Sequence, residues 1–163
     1  MPMRWLTREA LAGDLSWEEQ DERWLQWNEA RHAVRSRLHS GAELVLDINI
    51  QDAVIDTLRQ LQPDAVELRF LIGDNMVGHE WLVLQYSGAH LTIIEPGFGT
   101  GSRTAYEILR DELTVSDDSS FVHSVITWPE GEFDIEFTAV DVTRTPAGPD
   151  ERAALLARAE NPD

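Results

Sequence analysis

The chain of 163 residues contains no cysteine and no lysine. Without cysteine there are no disulfides, thiolate nucleophiles or thiolate zinc sites, so a metal would need histidine and carboxylate ligands. All 13 basic residues are arginine, which excludes Schiff-base lysine chemistry and a P-loop lysine. No apolar run approaches the roughly 18 residues of a membrane span, and no signal-peptide pattern is present. We therefore expect a cytoplasmic protein that does not cross a membrane.

Acidic residues outnumber basic residues by 30 to 13, and the formal net charge is -17. Residues 1–42 are nearly neutral, whereas residues 43–163 carry 23 acids and seven arginines. Direct binding of a nucleic-acid backbone is excluded, because it requires clustered cations. An acidic surface of this size fits a basic protein partner or mimicry of nucleic acid, as well as simple solubility.

A long helix is predicted to begin at Ser16, which forms a capping-box pattern with Glu19, and to end at Gly41. A shorter helix at about residues 8–12 precedes it. An apolar and aromatic stripe at helical spacing either docks on a sheet, the commoner outcome, or forms a platform for a ligand. The stripe consists of Trp17, Trp24, Trp27, Arg31, Val34 and Leu38.

From residue 65 onward, apolar residues alternate with polar ones, which predicts strands with one buried face. We expect a tight hairpin at Ser87–Gly88, a three-residue loop at residues 129–131, and a bulge near Ala139 where the alternation changes parity. The segments 50–61 and 103–115 fit either a helix or a strand. The strands are expected at about residues 65–72, 79–86, 90–95, 121–128 and 132–142.

A glycine-rich segment, LTIIEPGFGTG at residues 91–101, resembles the first motif of S-adenosylmethionine-dependent methyltransferases. Asp117 or Asp118 lies where such a fold places its ribose-binding acid. The alternating strands, and the 62 residues that follow Gly101, argue against the parallel sheet that the resemblance implies. The loop amides could instead bind an anion. The candidate ligand- or anion-binding residues are Gly97, Gly99, Gly101 and Arg103.

The five histidines form no HxH or HExxH pair, although His79–Glu80 and His123 could converge from separate strands. No Gly-x-Ser-x-Gly elbow supports serine nucleophile chemistry. Acids at 132, 134 and 136 are most simply a solvated strand face. We therefore expect no metal and no cofactor, and we favour a non-enzymatic protein while leaving an enzymatic activity open.

Three stretches resemble small bacterial families described only as domains of unknown function. They are residues 65–74, residues 81–89 and residues 121–137, with Tyr106–Glu107 at the place of a further element. The resemblance covers about residues 50–144. It implies strands for residues 52–60 and much of 105–115, and it transfers no chemistry.

These observations predict an α+β fold in which N-terminal helices pack on a mainly antiparallel β-meander of about five to seven strands. Residues 1–145 form the domain, helical over 1–42 and sheet-rich over 50–145, and residues 146–163 form a linker and a loosely attached helix. The expected function is a non-enzymatic acidic interaction module, immunity- or inhibitor-like, that binds a basic protein. The alternatives are a methyltransferase-like enzyme around Gly97–Gly101 and a homo-oligomeric structural protein, such as a homodimer.

Overall fold

The computed structural model describes residues 3–74, 76–97, 106–117 and 119–160, with side chains up to residue 157. In these residues the chain is a mixed α+β protein with eight strands, one more than the largest number expected. The helices are α1 (Arg8–Leu11), α2 (Trp17–Arg35), α3 (Ala42–Asp47) and α4 (Glu151–Glu160). The strands are β1 (Val54–Gln62), β2 (Ala65–Asp74), β3 (Gly78–Ser87), β4 (His90–Glu95), β5 (Glu107–Asp117), β6 (Ser120–Trp128), β7 (Glu132–Phe137) and β8 (Ala139–Ala147).

The eight strands form one antiparallel sheet in the order β4-β7-β6-β5-β1-β2-β3-β8. β1 to β3 make one meander and β5 to β7 make another. Alternation produces β2 as expected, because Val66, Leu68 and Phe70 are buried on one face. In the first ambiguous segment the strand β1 begins at Val54, and in the described part of the second the strand β5 begins at Glu107, so the strand interpretation is confirmed for these parts.

β3 and β4 together make one long bent strand, which pairs with a second bent strand made of β7 and β8. Ser87 lies opposite Ala139, and His90 lies opposite Glu136, so the register continues through the bend. β3 and β4 do not pair with each other, and the hairpin expected at Ser87–Gly88 is therefore wrong.

The bulge expected near Ala139 is also wrong, because no register shift separates β7 from β8. The change of parity is real, since Phe137 and Val140 are both buried. It arises because both strands bend together, at Gly88 and at Thr138, and exchange their inner and outer faces. No extra residue is inserted into either strand. Instead, the paired strands β3–β4 and β7–β8 bend at the same place.

The bend joins the two ends of the sheet, so the inner faces of both meanders share one core. Aromatic and aliphatic residues from β2, β3, β6 and β7 meet there, together with Ala42 and Val45 of α3. On the opposite side, β1 and β5 pair only around Val54 and Glu107. Beyond that point the strands separate, which leaves a gap in the barrel-like wall.

The N-terminal segment covers the outer face of β6, where Met3 and Leu6 pack on Ile126. α2 begins with the expected capping box of Ser16 and Glu19, but it ends at Arg35. The expectation that it continues to Gly41 is wrong, because the chain turns after Arg35 and starts α3 after Gly41.

The C-terminal helix α4 packs on the outer face of β1 and β2 through Leu155, which contacts Val54 and Leu71. Glu151 at its first turn accepts a hydrogen bond from the Trp81 indole at 3.1 Å. The division into a domain of residues 1–145 and an appended segment stays a prediction.

Candidate binding cleft between helix α2 and strand β5

A cleft of about 690 Å³ lies between α2 and the edge of β5, and we call it the α2–β5 cleft. It exists because β5 separates from β1 beyond Glu107 and α2 does not fill the gap. No residue of α2 is buried, although Val34 packs on the core. The lining comes from residues 4–5, from the cleft-facing side of residues 24–37, and from residues 46–51 and 110–115.

Tryptophan side chains form the helical side of the cleft. The rings of Trp24 and Trp27 meet edge to face with their centroids 5.3 Å apart. Trp27 packs on the cluster around Leu6, while Trp24 keeps 37% of its surface exposed. The tryptophan stripe therefore docks only in part, and its exposed part lines a cleft, as a ligand platform would.

Arginine side chains lie over these rings. The guanidinium carbon of Arg31 is 5.3 Å from the centre of the Trp27 ring, and that of Arg110 is 5.2 Å from the Trp24 ring. Contacts of this kind stabilise a cation without neutralising its charge. Arg37 also lines the cleft, and its side chain is exposed.

The hydrogen bonds of these arginines go to backbone carbonyls. Arg31 donates to the carbonyl of Leu46, and Arg110 donates to the carbonyl of Leu109 at 2.8 Å. The Nε atom of Arg110 is buried and has no hydrogen-bond partner in the described part of the chain. A buried donor without an acceptor is costly, and this atom is one of the few such cases in the described residues.

The environment of Arg110 is partly desolvated. Burial lowers the pKa of its guanidinium, and the fields of Asp52 and Asp111 oppose that shift. Arg110 also lines a neighbouring cavity of about 360 Å³, together with Leu11 and Trp128. Arginine stays charged under these conditions, so the positive charge is held close to apolar surface.

The carboxylates of the cleft are engaged elsewhere. Glu112 is buried and accepts the backbone N–H groups of residues 4–6 at 2.8–2.9 Å. Asp47 forms an ion pair with Arg35 at 2.8 Å, which lowers the pKa of its carboxyl group. The positive charge of the cleft is therefore not cancelled by a neighbouring carboxylate in direct contact.

Asp111 connects the cleft with the core. Its Oδ2 atom is 2.8 Å from Nε2 of His123, and Nδ1 of His123 is 2.8 Å from the Tyr86 hydroxyl. His123 and Tyr86 are buried, so only Asp111 reaches the cleft. A catalytic acid or base must reach its substrate, which the two buried members of this chain do not.

His79–Glu80 and His123, which could have converged from separate strands, do not meet in the structure. His79 lies seven residues along β3 from Tyr86, the residue that contacts His123. At about 3.3 Å per residue, that is roughly 23 Å along the strand. Among the residues that the structure describes, there is no group of three or more histidine and acidic residues placed to hold a metal ion.

The predicted glycine-rich site is described only at its first residue. Gly97 is buried, and a Cβ atom there would lie 2.6 Å from the Cα of Gly131 in the β6–β7 loop. Gly97 is therefore required for a close backbone contact between two loops, whatever else the segment does. Gly99, Gly101 and Arg103 lie outside the described residues, as does Asp118.

Sequence reasoning missed Arg110, Asp111 and Glu112, which supply the β5 side of the cleft. Their signal is three charged residues in a row inside a segment with strand character. A strand paired on both edges and buried on both faces does not accommodate such a run. Here it fits because one edge of β5 is left open.

The fold and the cleft together define an α+β protein with a closed antiparallel sheet and an arginine- and tryptophan-lined binding cleft. Comparison with protein-family models, with curated proteins and with solved structures finds no match to this chain. The resemblance to bacterial families of unknown function therefore stays a prediction. No helix in the described ranges combines the length and apolar character that a bilayer crossing requires.

Proposed function

We propose that the protein is a non-enzymatic interaction protein that binds a basic protein through the first half of α2. The observation that carries the proposal is a 19-residue helix with no buried residue, in which two large apolar side chains face solvent. Trp17 is 82% exposed and Leu25 is 59% exposed. Exposed tryptophan surrounded by polar residues is typical of the energetic centre of a protein interface.

Acidic residues surround these two side chains on the helix. Helical geometry places them within about 140° of one another, and none of them lines the cleft, although Trp17 at one end of this arc lies about 20° from the cleft-lining Trp24. We call this surface the acidic helix face. It consists of Trp17, Glu18, Asp21, Glu22, Leu25 and Glu29.

The charge of α2 is divided along its length. All five acids of α2 lie before residue 30, together with Arg23, whereas Arg31 and Arg35 follow. A basic partner would be attracted both by the acidic helix face and by the long-range field of a chain with a net charge of -17. The association should therefore weaken as salt is added.

The test compares capture by three immobilised proteins at low and moderate salt. They are the wild type, a helix variant with Trp17→Ala and Asp21→Asn, and a control with the same charge change, Asp141→Asn on β8. The proposal requires a basic protein, identified by mass spectrometry, that the wild type and the control retain and the helix variant loses. Equal capture by the helix variant, or no stoichiometric partner at either salt concentration, would overturn it.

A second candidate, self-association through a strand edge, is favoured by β4. This strand pairs only with β7 in the described sheet, and Ile93 is 43% exposed beside the exposed Ile94. Sedimentation at increasing concentration tests it, with Ile93→Lys as the variant that should abolish any dimer. The methyltransferase-like alternative gains no support, because it needs a parallel sheet and the strand pairs here are antiparallel.

A further inference from the structure

We propose that the α2–β5 cleft binds a small planar aromatic anion, a ring system that carries a phosphate or a carboxylate group. No residue of the acidic helix face lines this cleft, so the proposal does not depend on a basic protein partner. Three features carry it: arginines without a direct ion pair, tryptophan rings that contact each other edge to face, and a volume suited to one small ligand.

The arginines of the cleft differ from those elsewhere in the protein. Elsewhere in the described ranges six arginines form an ion pair with a carboxylate, and Arg23 donates instead to the carbonyl of Arg4 at 3.2 Å. Arg31, Arg37 and Arg110 form no ion pair within the described ranges of the chain. The ion pairs are Arg8–Glu95, Arg35–Asp47, Arg59–Glu67, Arg69–Asp56, Arg144–Glu80 and Arg152–Glu107, and of their members Asp47 lines the cleft.

The lack of a direct ion pair at Arg31, Arg37 and Arg110 is notable because the chain has 30 acids. The acids that line the cleft are bound to other groups. Asp111 accepts from His123, and Glu112 accepts from backbone N–H groups. An oxyanion in the cleft would give these guanidinium groups a charged acceptor, which no carboxylate of the described ranges provides by direct contact.

The tryptophans select the rest of the ligand. Arg31 lies over the Trp27 ring on the helical side, and Arg110 reaches the Trp24 ring from the β5 side, so each aromatic surface has a cation beside it. A planar ring can stack on such a wall while its anionic group reaches a guanidinium. The cleft volume of about 690 Å³ falls within the range of pockets that hold small molecules.

A single nucleotide and an aromatic carboxylate share this chemistry, and a titration series separates them. The probes for isothermal titration calorimetry are AMP, indole-3-acetate, adenosine and inorganic phosphate. The proposal expects saturable binding of AMP or indole-3-acetate below about 1 mM, and binding of adenosine and phosphate at least about tenfold weaker. Which of the first two binds more tightly identifies the source of the ligand.

Variants locate the site. Arg37→Gln removes an exposed charge with no internal partner, and Trp24→Leu removes a stacking surface; each should weaken the better probe about tenfold. Arg144→Gln carries the same charge change on β8 and should bind as the wild type does. Far-UV circular dichroism confirms that each variant is folded.

The proposal is overturned if neither aromatic anion binds below about 1 mM, or if adenosine or phosphate alone binds as tightly as the better of them. It is also overturned if Arg37→Gln and Trp24→Leu both bind like the wild type. The Trp17→Ala, Asp21→Asn variant should retain probe binding, so failure of the protein-partner proposal and failure of this one give different results.

Discussion

The Tyr86 hydroxyl lies 2.8 Å from Nδ1 of His123 in the centre of the core, and this contact joins β3 to β6 across the closed sheet. Asp111 occupies the other ring nitrogen, Nε2, at 2.8 Å. A carboxylate only accepts, so we assign the histidine proton to Nε2, and Nδ1 then accepts from the tyrosine. Every polar atom of the imidazole is satisfied in this arrangement.

The hydrogen bond between Tyr86 and His123 should contribute measurably to the free energy of unfolding. Tyr86→Phe leaves Nδ1 of His123 buried without a donor, so we expect the free energy of unfolding to fall by about 1–3 kcal/mol. Urea denaturation measures the loss. Tyr106→Phe is the matched control, because the Tyr106 hydroxyl bonds the exposed Glu130 at 3.1 Å, and removing it should cost less. Equal losses would contradict the special role of Tyr86.

The second prediction concerns alkaline pH. Burial, followed by the field of Asp111, raises the pKa of Tyr86 well above 10. Above about pH 10 the unfolded chain releases this proton and the folded chain keeps it, so stability falls as pH rises, by at most about 1.4 kcal/mol per pH unit. Below that pH the contribution is complete.

A Tyr106→Phe background isolates Tyr86, since the chain has two tyrosines. At about pH 11, absorbance at 295 nm should show no phenolate while circular dichroism remains native. A tyrosinate signal from the native protein near pH 10 would refute the predicted direction of the pKa.

The third prediction concerns the anchor of the N-terminal segment. Glu112→Gln has one acceptor oxygen in place of the two that bind residues 4–6, and it loses the charge. We expect a loss of about 2–4 kcal/mol and faster trypsin cleavage after Arg4 and Arg8. Glu95→Gln breaks the half-exposed pair with Arg8 and should cost less than about 1 kcal/mol. Similar effects of the two variants would rule out Glu112 as the anchor.

The fourth prediction concerns the bend. Gly88 has a φ of +56°, and a Cβ atom there would lie 2.4 Å from Oγ1 of Thr138. Gly88→Ala should therefore cost about 2–4 kcal/mol, part from φ and part from overlap. Gly13 has a φ of +84° with nothing near its would-be Cβ, so Gly13→Ala measures the φ cost alone.

Adding Thr138→Ala to Gly88→Ala should recover only the part of the loss that comes from overlap. Thermal or urea unfolding of the single and double variants gives the comparison. If the double variant is no more stable than Gly88→Ala, the overlap with Thr138 is not a cause of the loss.

Local signals predicted most of the elements. The alternation around Leu68 and the capping box of Ser16 and Glu19 depend on neighbours in the chain, and both are present in the structure. The prediction of strand pairing was wrong where the pairing depends on residues that are distant in the sequence. Ser87–Gly88 carries a hairpin signal, but the positive φ of Gly88 serves a bend against Thr138, far along the chain.

The cleft could not be predicted for a related reason. The role of Arg110 depends on which edge of β5 remains unpaired, and that edge is set by the short β1–β5 contact at Val54. The helical stripe predicted that Trp24 would face the sheet. It did not predict that a cleft would separate the helix from the sheet. Gly97, the described part of the predicted loop site, lies against Gly131 instead of in the cleft.

The two bent strands also determine how the protein can come apart. Because β3–β4 and β7–β8 each run through both halves of the sheet, neither half has a complete set of strands of its own. Opening one meander removes hydrogen bonds from the other, so the sheet behaves as one cooperative unit. Amide protons in β2 and in β6 should then exchange with deuterium through the same global event, at nearly the same protection.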